Sequence, residues 1–360
     1  MFEIFSKWSR RYLFEEESVL LLVLIAVSVV LLMTLGDVLA PVLAAIVLAY
    51  LMQGIAYQLQ KRGMPHWLGV SVAFLVFMGA FFGFIFGLLP LVWKQMMALA
   101  GEMPRMLEQG RELLSVLPER YPEIISQKQL NQFMTVAQGE LAQFGQTLVS
   151  RSLSTITSMV TVLVYLILIP ILVFFFLKDQ RQIINWCTSF LPQKRPLLQR
   201  IWLEMDIQVS NYARGKVLEI LIVGAASFVS FVLLGLNYAA LLGLLVGLSV
   251  IIPYIGAALV TLPVVLVAYF QWGFGSEFYT LVVVYFIIQA LDGNLLVPML
   301  FSEAVNLHPV AIILAVLFFG GIWGLWGVFF AIPLATLIKA IINAWPTRNL
   351  ELSPNTEITE

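Results

Sequence analysis

Apolar residues fall into eight long runs, near 19–35, 38–56, 67–93, 153–177, 217–236, 239–270, 278–300 and 309–343, with the polar residues gathered in the gaps. Uninterrupted runs of about 18 residues or more read as spanning helices, because the hydrocarbon layer of a bilayer is about 30 Å thick. The pattern therefore predicts an all-α, polytopic membrane protein with about eight apolar segments. Gly36-Asp37 separates the first two runs as a turn, and Pro41 is placed to start the second helix. The organisation that follows is 1–93 with three transmembrane helices, 94–152 as a helical segment outside the bilayer, 153–216 with a fourth span and a connection, 217–345 as a transport core, and 346–360 as a disordered tail.

Two of the runs have the wrong length. As single helices, 239–270 and 309–343 would reach about 48 and 52 Å, well beyond the hydrocarbon thickness. Each carries a breaker in its middle, Pro253-Tyr254-Ile255-Gly256 in one and the glycine-rich block 320–327 in the other. Splitting the first gives two arms of roughly 14 residues, about 20 Å each, too short to cross. Re-entrant hairpins fit these lengths. Each second arm also carries a proline shortly after its glycine, Pro263 after Gly256 and Pro333 after Gly327, and each broken run follows one ordinary span. The units 217–270 and 278–343 thus read as an inverted repeat, the arrangement that marks a transport site near the bilayer midplane.

Charge refines this picture. Charged residues make up 11% of the 360 and the net charge is −1, so the basic residues matter by position rather than by sum. Lys7, Arg10 and Arg11, then Lys61 and Arg62, then the basic residues of 178–216 alternate with turns at 36–37, 237–238 and 271–276 that carry no Lys or Arg. The alternation predicts cytoplasmic N- and C-termini and an outward-facing 94–152. In that segment Leu130, Met134, Ala137, Leu141, Phe144 and Leu148 form a narrow helical seam, which packs on the neighbouring helix around 96–117 or, alternatively, joins copies of the chain in a homo-oligomer. The basic run before Val19 is read with it as a retained first span rather than a signal peptide. One cysteine, Cys187, and two histidines, His66 and His308, without an HExxH pair give no basis for an internal disulfide, a metal centre or metallopeptidase chemistry. No cofactor, enzyme activity or nucleic-acid partner is expected; the expected partners are the lipid bilayer and a small molecule or ion.

Candidate chemistry sits at membrane depth. Gln289, Asp292 and Asn294 lie in one run with Gly293 and Pro298, and Gln289 and Asp292 share a helix face. A carboxylate there costs about 2.5–3.5 kcal/mol on insertion scales, so Asp292 needs a cavity or a partner. It reads equally as an ion or substrate site and as a cap beside Gly293. Lys216 and Glu219, three apart, read as a structural pair with the lysine snorkelling to the interface. Trp323 and Trp326 read as packed rings.

The blocks Ile252-Pro253-Tyr254-Ile255-Gly256, Asp292-Gly293-Asn294-Leu295-Leu296-Val297-Pro298 and Val305-Asn306-Leu307-His308-Pro309, with 320–327 and Ala331-Ile332-Pro333-Leu334, resemble the autoinducer-2 exporter family, in its general permease branch. The resemblance implies a carrier in the bacterial inner membrane, exporting a small polar solute such as a quorum-sensing signal, or exchanging sodium or lithium for protons. Its shared pattern falls on Pro253, Tyr254, Gly256, Asn294, Pro298, Leu307, Pro309, Gly324, Gly327 and Pro333, and with Gln289 and Asp292 from the reading above the expected pathway comprises Pro253, Tyr254, Gly256, Gln289, Asp292, Asn294, Pro298, Gly324, Gly327 and Pro333. Where many relatives carry glutamate, this chain has Asp292, and Phe301-Ser302-Glu303-Ala304 replaces a glycine-containing turn. The expected mechanism is alternating access, with the two broken helices holding substrate between their tips and the half-helix N-termini at Gly256 and Gly327 offering N–H groups to an anion. A membrane scaffold acting through 94–152 is the non-transport alternative.

Overall fold

The computed structural model describes residues 16–115, 126–129, 131–136, 138–140, 143, 155–193, 195–253, 255–301 and 307–344, and among the described residues 91% are helical and none forms a strand. The main helices are α1 (Glu16–Lys61), α2 (His66–Ser115), α3 (Thr155–Lys178), α4 (Gln180–Ser189), α5 (Pro196–Leu233), α6 (Ala239–Ser249), α7 (Ile255–Trp272), α8 (Ser276–Phe301) and α9 (Pro309–Ala344). Among the described residues seven helical segments are long and apolar enough to cross a membrane, two of them within α1 (Val19–Gly36 and Val38–Lys61), or up to eight if the bent pair Val162–Lys178 and Gln180–Ser189 counts as a span. The chain is a multi-span membrane protein.

Several boundaries differ from the sequence expectation, each for a local reason. Between the first two runs only Leu35 leaves helical geometry (φ −118°, ψ 15°), and Pro41 lies inside the helix instead of starting one. Gly36 makes no turn; its bare α-carbon accommodates the Trp323 indole, whose Nε1 lies 2.6 Å from where a Cβ would sit. The third run does not stop at 93 but continues as helix to Ser115, about 75 Å in all. A π-helical turn at Phe84–Leu88 precedes Pro90, whose missing N–H would otherwise orphan a carbonyl in the ladder. Residues 196–216, expected as connection, form the first part of α5, which opens on Pro196 where a proline costs no hydrogen bond. Of the 94–152 seam, Met134 is buried, and Leu130, Ala137, Leu141, Phe144 and Leu148 lie outside the described residues. So do Lys7, Arg10, Arg11 and the tail 346–360.

The first broken run breaks where expected but unequally. α6 has 11 residues and α7 has 18, about 16 and 27 Å, so only the first arm is far too short to cross. The helix ends at Ser249, four residues before Pro253, because proline and the residue before it both resist helical geometry. The chain then reverses so tightly that a Cβ on Gly256 would collide with the Ser249 carbonyl. The second broken run reverses in the same manner: Gly324 takes φ 59° and ψ −137°, open only to glycine, and a Cβ on Gly327 would collide with the Phe319 carbonyl. Gly324→Ala is expected to cost about 1–3 kcal/mol, read as a lowered midpoint of thermal unfolding in detergent. Gly321→Ala, where a Cβ meets nothing within 4 Å, is the matched control.

The chain divides into two compact units. One contains residues 41–178 and 213–302. Its main core joins Val223 and Phe231 of α5, Leu242 and Val246 of α6, Val264 and Val267 of α7, and Leu281 and Tyr285 of α8. A second cluster sets the small face Ala45, Ala49 and Ala56 of α1 against Val70, Ala73 and Phe77 of α2 and Val173 of α3. α6 lies on α5 with almost no intervening side chain, since a Cβ on Gly247 would stand 2.8 Å from the Ile220 carbonyl and 2.9 Å from the Gly224 α-carbon. Gly243 and Gly247 are a GxxxG pair, the spacing that lets helix backbones touch in lipid. The other unit contains residues 1–40, 179–212 and 303–360. There Trp323 and Trp326 both stack on Phe330, and Tyr212 donates its hydroxyl to the Phe329 carbonyl at 2.9 Å.

Candidate functional site

The tip of the first hairpin gathers charge inside the 41–178 and 213–302 unit. α6 stops at Ser249, leaving the carbonyls of its last turn without intrahelical partners and the negative end of its dipole exposed. Lys216, from α5, satisfies both needs: its Nζ donates to the Val250 carbonyl at 2.9 Å. The same ammonium pairs with Glu219 at 2.7 Å and lies 5.1 Å from the centre of the Phe301 ring. Lys216 is 4% exposed and Glu219 2%. The snorkelling expected for Lys216 is therefore corrected: the side chain runs inward to a helix C-terminus. Gly215 makes room for this, as a Cβ there would stand 2.8 Å from Phe301.

Asp292 joins the group. It opens a π-helical turn, Asp292–Leu296, that interrupts α8 before Pro298. The turn absorbs the register change that Pro298, lacking an N–H, forces on the ladder. Asp292 Oδ1 is buried without a hydrogen-bond partner, and its carboxylate lies within electrostatic reach of Lys216 and Glu219. Asn294 uses its side-chain amide locally, donating to the Ala290 carbonyl at 2.8 Å, and is exposed.

Gln289 belongs to a second polar chain. Its Nε2 donates to the Tyr285 hydroxyl at 3.0 Å, and that hydroxyl lies 2.9 Å from Thr261 Oγ1 on α7. Thr261 spends its own proton on the Ala257 carbonyl at 2.7 Å, so the Tyr285 proton must point to Thr261. The chain ties α8 to the second arm of the hairpin through Tyr285, which is fully buried. Tyr285→Phe is expected to cost about 1 kcal/mol, since hydrogen bonds between membrane helices are worth little each, measured by denaturant unfolding in mixed micelles.

The other residues anticipated from sequence take distinct places. Pro253 stands in the hairpin turn, and Tyr254 lies outside the described residues. The Gly256 N–H is taken by the Ile252 carbonyl at 2.9 Å, so it offers nothing to an anion, and that expectation is corrected. The glycine is required for close backbone approach instead. Gly324, Gly327 and Pro333 belong to α9 in the other unit, with Gly324 at the hinge, Gly327 against Phe319, and Pro333 buried inside the helix. The sequence reading did not single out Tyr285 or Thr261 for the site, nor join Lys216 and Glu219 to Asp292. The GxxxG spacing 243–247 was the available hint that α6 is pressed against α5 beside Lys216.

Comparison with known proteins agrees with this architecture. A family model described as "AI-2E family transporter" matches residues 19–347. The chain is 47% identical to "Putative permease PerM" of Escherichia coli (strain K12), covering 96% of this chain and 98% of that protein. It is 29% identical to "Putative transport protein YueF" of Bacillus subtilis (strain 168), over 83% of this chain and 82% of that one. To "Putative transport protein YrrI" of the same organism it is 26% identical, over 84% and 85%.

Proposed function

Because this chain belongs to the AI-2E family of transporters, we propose that it is a secondary permease that exports a small polar solute, such as a quorum-sensing signal, across the bacterial inner membrane by alternating access. The termini are assigned to the cytoplasm on the alternation of basic loops. One observation carries the reading. Lys216 and Glu219 pair at the tip of the first hairpin with Asp292 within their electrostatic reach, in a chain whose apolar runs hold few other charged residues. Such groups are costly at membrane depth and are characteristic of solute and ion pathways. Irregular backbone, here residues 250–253, is tolerated there only when buried in protein or lining a watery space.

In this mechanism the hairpin tip is held by an ammonium on its C-terminal carbonyl, and a solute that competes for Lys216 or Asp292 releases it. Substrate binding then biases an existing two-state element, the minimum that alternating access requires. Reconstituted protein carrying Asp292→Asn is expected to fold and insert as the parent does and to lose at least about tenfold of its gradient-driven solute flux, a barrier change of about 1.4 kcal/mol. Undiminished flux in that variant defeats the assignment of Asp292 to the pathway.

A second reading has its own support. Asp292 Oδ1 is buried with no donor and lies near Glu219, so a proton or small monovalent cation between the two carboxylates is well placed to relieve their repulsion. That makes the protein a sodium or lithium/proton antiporter. Sodium-dependent proton release from vesicles, lost in Asp292→Asn, separates this reading from solute export.

A further inference from the structure

At the opposite end of α6 from the charged tip lies a cleft of about 260 Å³ that the transport reading does not use. Its walls are Glu102, Arg105, Met106 and Gln109 of α2, facing Asn237 and Tyr238 before α6 and Val267, Phe270 and Gln271 at the end of α7. The α2 residues recur at three- and four-residue steps, so one face of that long helix supplies the charged wall. The opposite wall is held in place. The Gln271 amide donates to the Gly235 carbonyl at 2.8 Å and accepts the Asn237 N–H at 2.8 Å. Tyr238 is the described non-glycine residue with a left-handed backbone, φ 59°. The Leu241 N–H, in the first turn of α6, is already taken by Gln95 at 2.8 Å, so that helix terminus is not the anion receptor.

The charges of the cleft remain separate. Glu102 and Arg105 are one turn apart, in the spacing and order that ordinarily favour an ion pair, yet among the described residues neither makes an ion pair or hydrogen bond. Burial first, then the charge of Glu102, holds the Tyr238 phenol above its ordinary pKa, so it stays a proton donor at neutral pH. A solute of one sign satisfies one of these two ions and is repelled by the other. A solute with both signs satisfies both. Met106 and Phe270 add a small apolar surface beside the charges, with Val267 buried beneath them. The volume is on the order of nine waters' share of the liquid, below the range of drug-sized pockets.

The geometry points to a recognition site for a small zwitterion with an aliphatic side chain, its carboxylate on Arg105 and its ammonium on Glu102. The site is separate from the Lys216, Glu219 and Asp292 group and stands or falls independently of it.

The test is equilibrium binding of tritiated L-valine to the full-length protein in nanodiscs, with isovalerate (valine without its ammonium) and isobutylamine (valine without its carboxylate) as competitors. L-Valine is expected to bind saturably, and each competitor to be at least tenfold weaker. Arg105→Gln is expected to weaken valine at least tenfold while leaving isobutylamine within about twofold, and Glu102→Gln to do the same while sparing isovalerate. Asp292→Asn is expected to leave valine binding unchanged whether or not it abolishes transport. Both cleft substitutions lie on an exposed helix face, so folding is checked by the retained elution profile. Absence of saturable valine binding, competitors as strong as valine, or valine binding that survives both substitutions overturns the proposal.

Discussion

Gly256→Ala should deprive the protein of a native first hairpin, with a loss of at least about 3 kcal/mol of stability. The added methyl has nowhere to go, since its position is occupied by the Ser249 carbonyl, with the Ser249 carbonyl carbon at 2.6 Å and its α-carbon at 3.2 Å. All three are backbone atoms, so no rotamer change relieves the collision. α7 must move away from the end of α6, which parts Val246 from Val260 and Val264 in the core. The measurement is the fraction of monodisperse protein recovered after detergent extraction, together with its thermal midpoint. Gly293→Ala supplies the contrast, because a Cβ there meets nothing within 4 Å and near-parental stability is expected. Parental stability in Gly256→Ala would mean that the two arms do not meet as described.

Lys216→Met is the second large effect, expected to destabilise by about 3–5 kcal/mol. The substitution roughly keeps the side-chain volume over Phe301 but removes the ammonium from the Val250 carbonyl and leaves Glu219, 2% exposed, without its counter-charge. Most of the loss comes from the stranded carboxylate rather than from the pair's own worth, so Lys216→Met combined with Glu219→Met should recover much of it. Transport should separate from stability here. The double variant is expected to fold and still fail to carry solute, because the group that holds and releases the hairpin tip is gone. A double variant that transports normally would leave the ion pair with a purely structural role.

Particular residues show how far the chain could be read in advance. Run length alone identified both broken segments, since a helix too long for the bilayer and punctuated by Pro253 or by the 320–327 glycines has few alternatives. The observed breaks begin at Val250, just before Pro253, and at Gly324 within the glycine block. The same arithmetic misjudged the balance of the first pair, because it placed the break at the proline, whereas helix ends before a proline are set by the residues preceding it. At Gly36-Asp37 the two spans divide where expected, but through a kink at Leu35 rather than a turn, and the indole of Trp323, far along the chain, is what needs the bare α-carbon at 36. Gln289 and Asp292 lie three apart on α8, and yet one bonds Tyr285 while the other is within reach of Lys216, because three residues of α-helix leave the two side chains about 60° apart around the axis.

By itself the sequence determined the solvent and the class: apolar runs too long for a water-soluble core, charge gathered mostly in the connections, and two interrupted segments amount to a multi-span helical membrane protein. These are properties of chain stretches against a slab about 30 Å thick, and they require no knowledge of neighbours. Only the tertiary structure decided which polar groups share a site. Lys216 looked like an interfacial lysine because its position along α5 permits snorkelling, and whether it turns outward or inward depends on a carbonyl 34 residues away. Side-chain direction in a membrane is chosen by the partner that satisfies the charge. That partner is supplied by the fold.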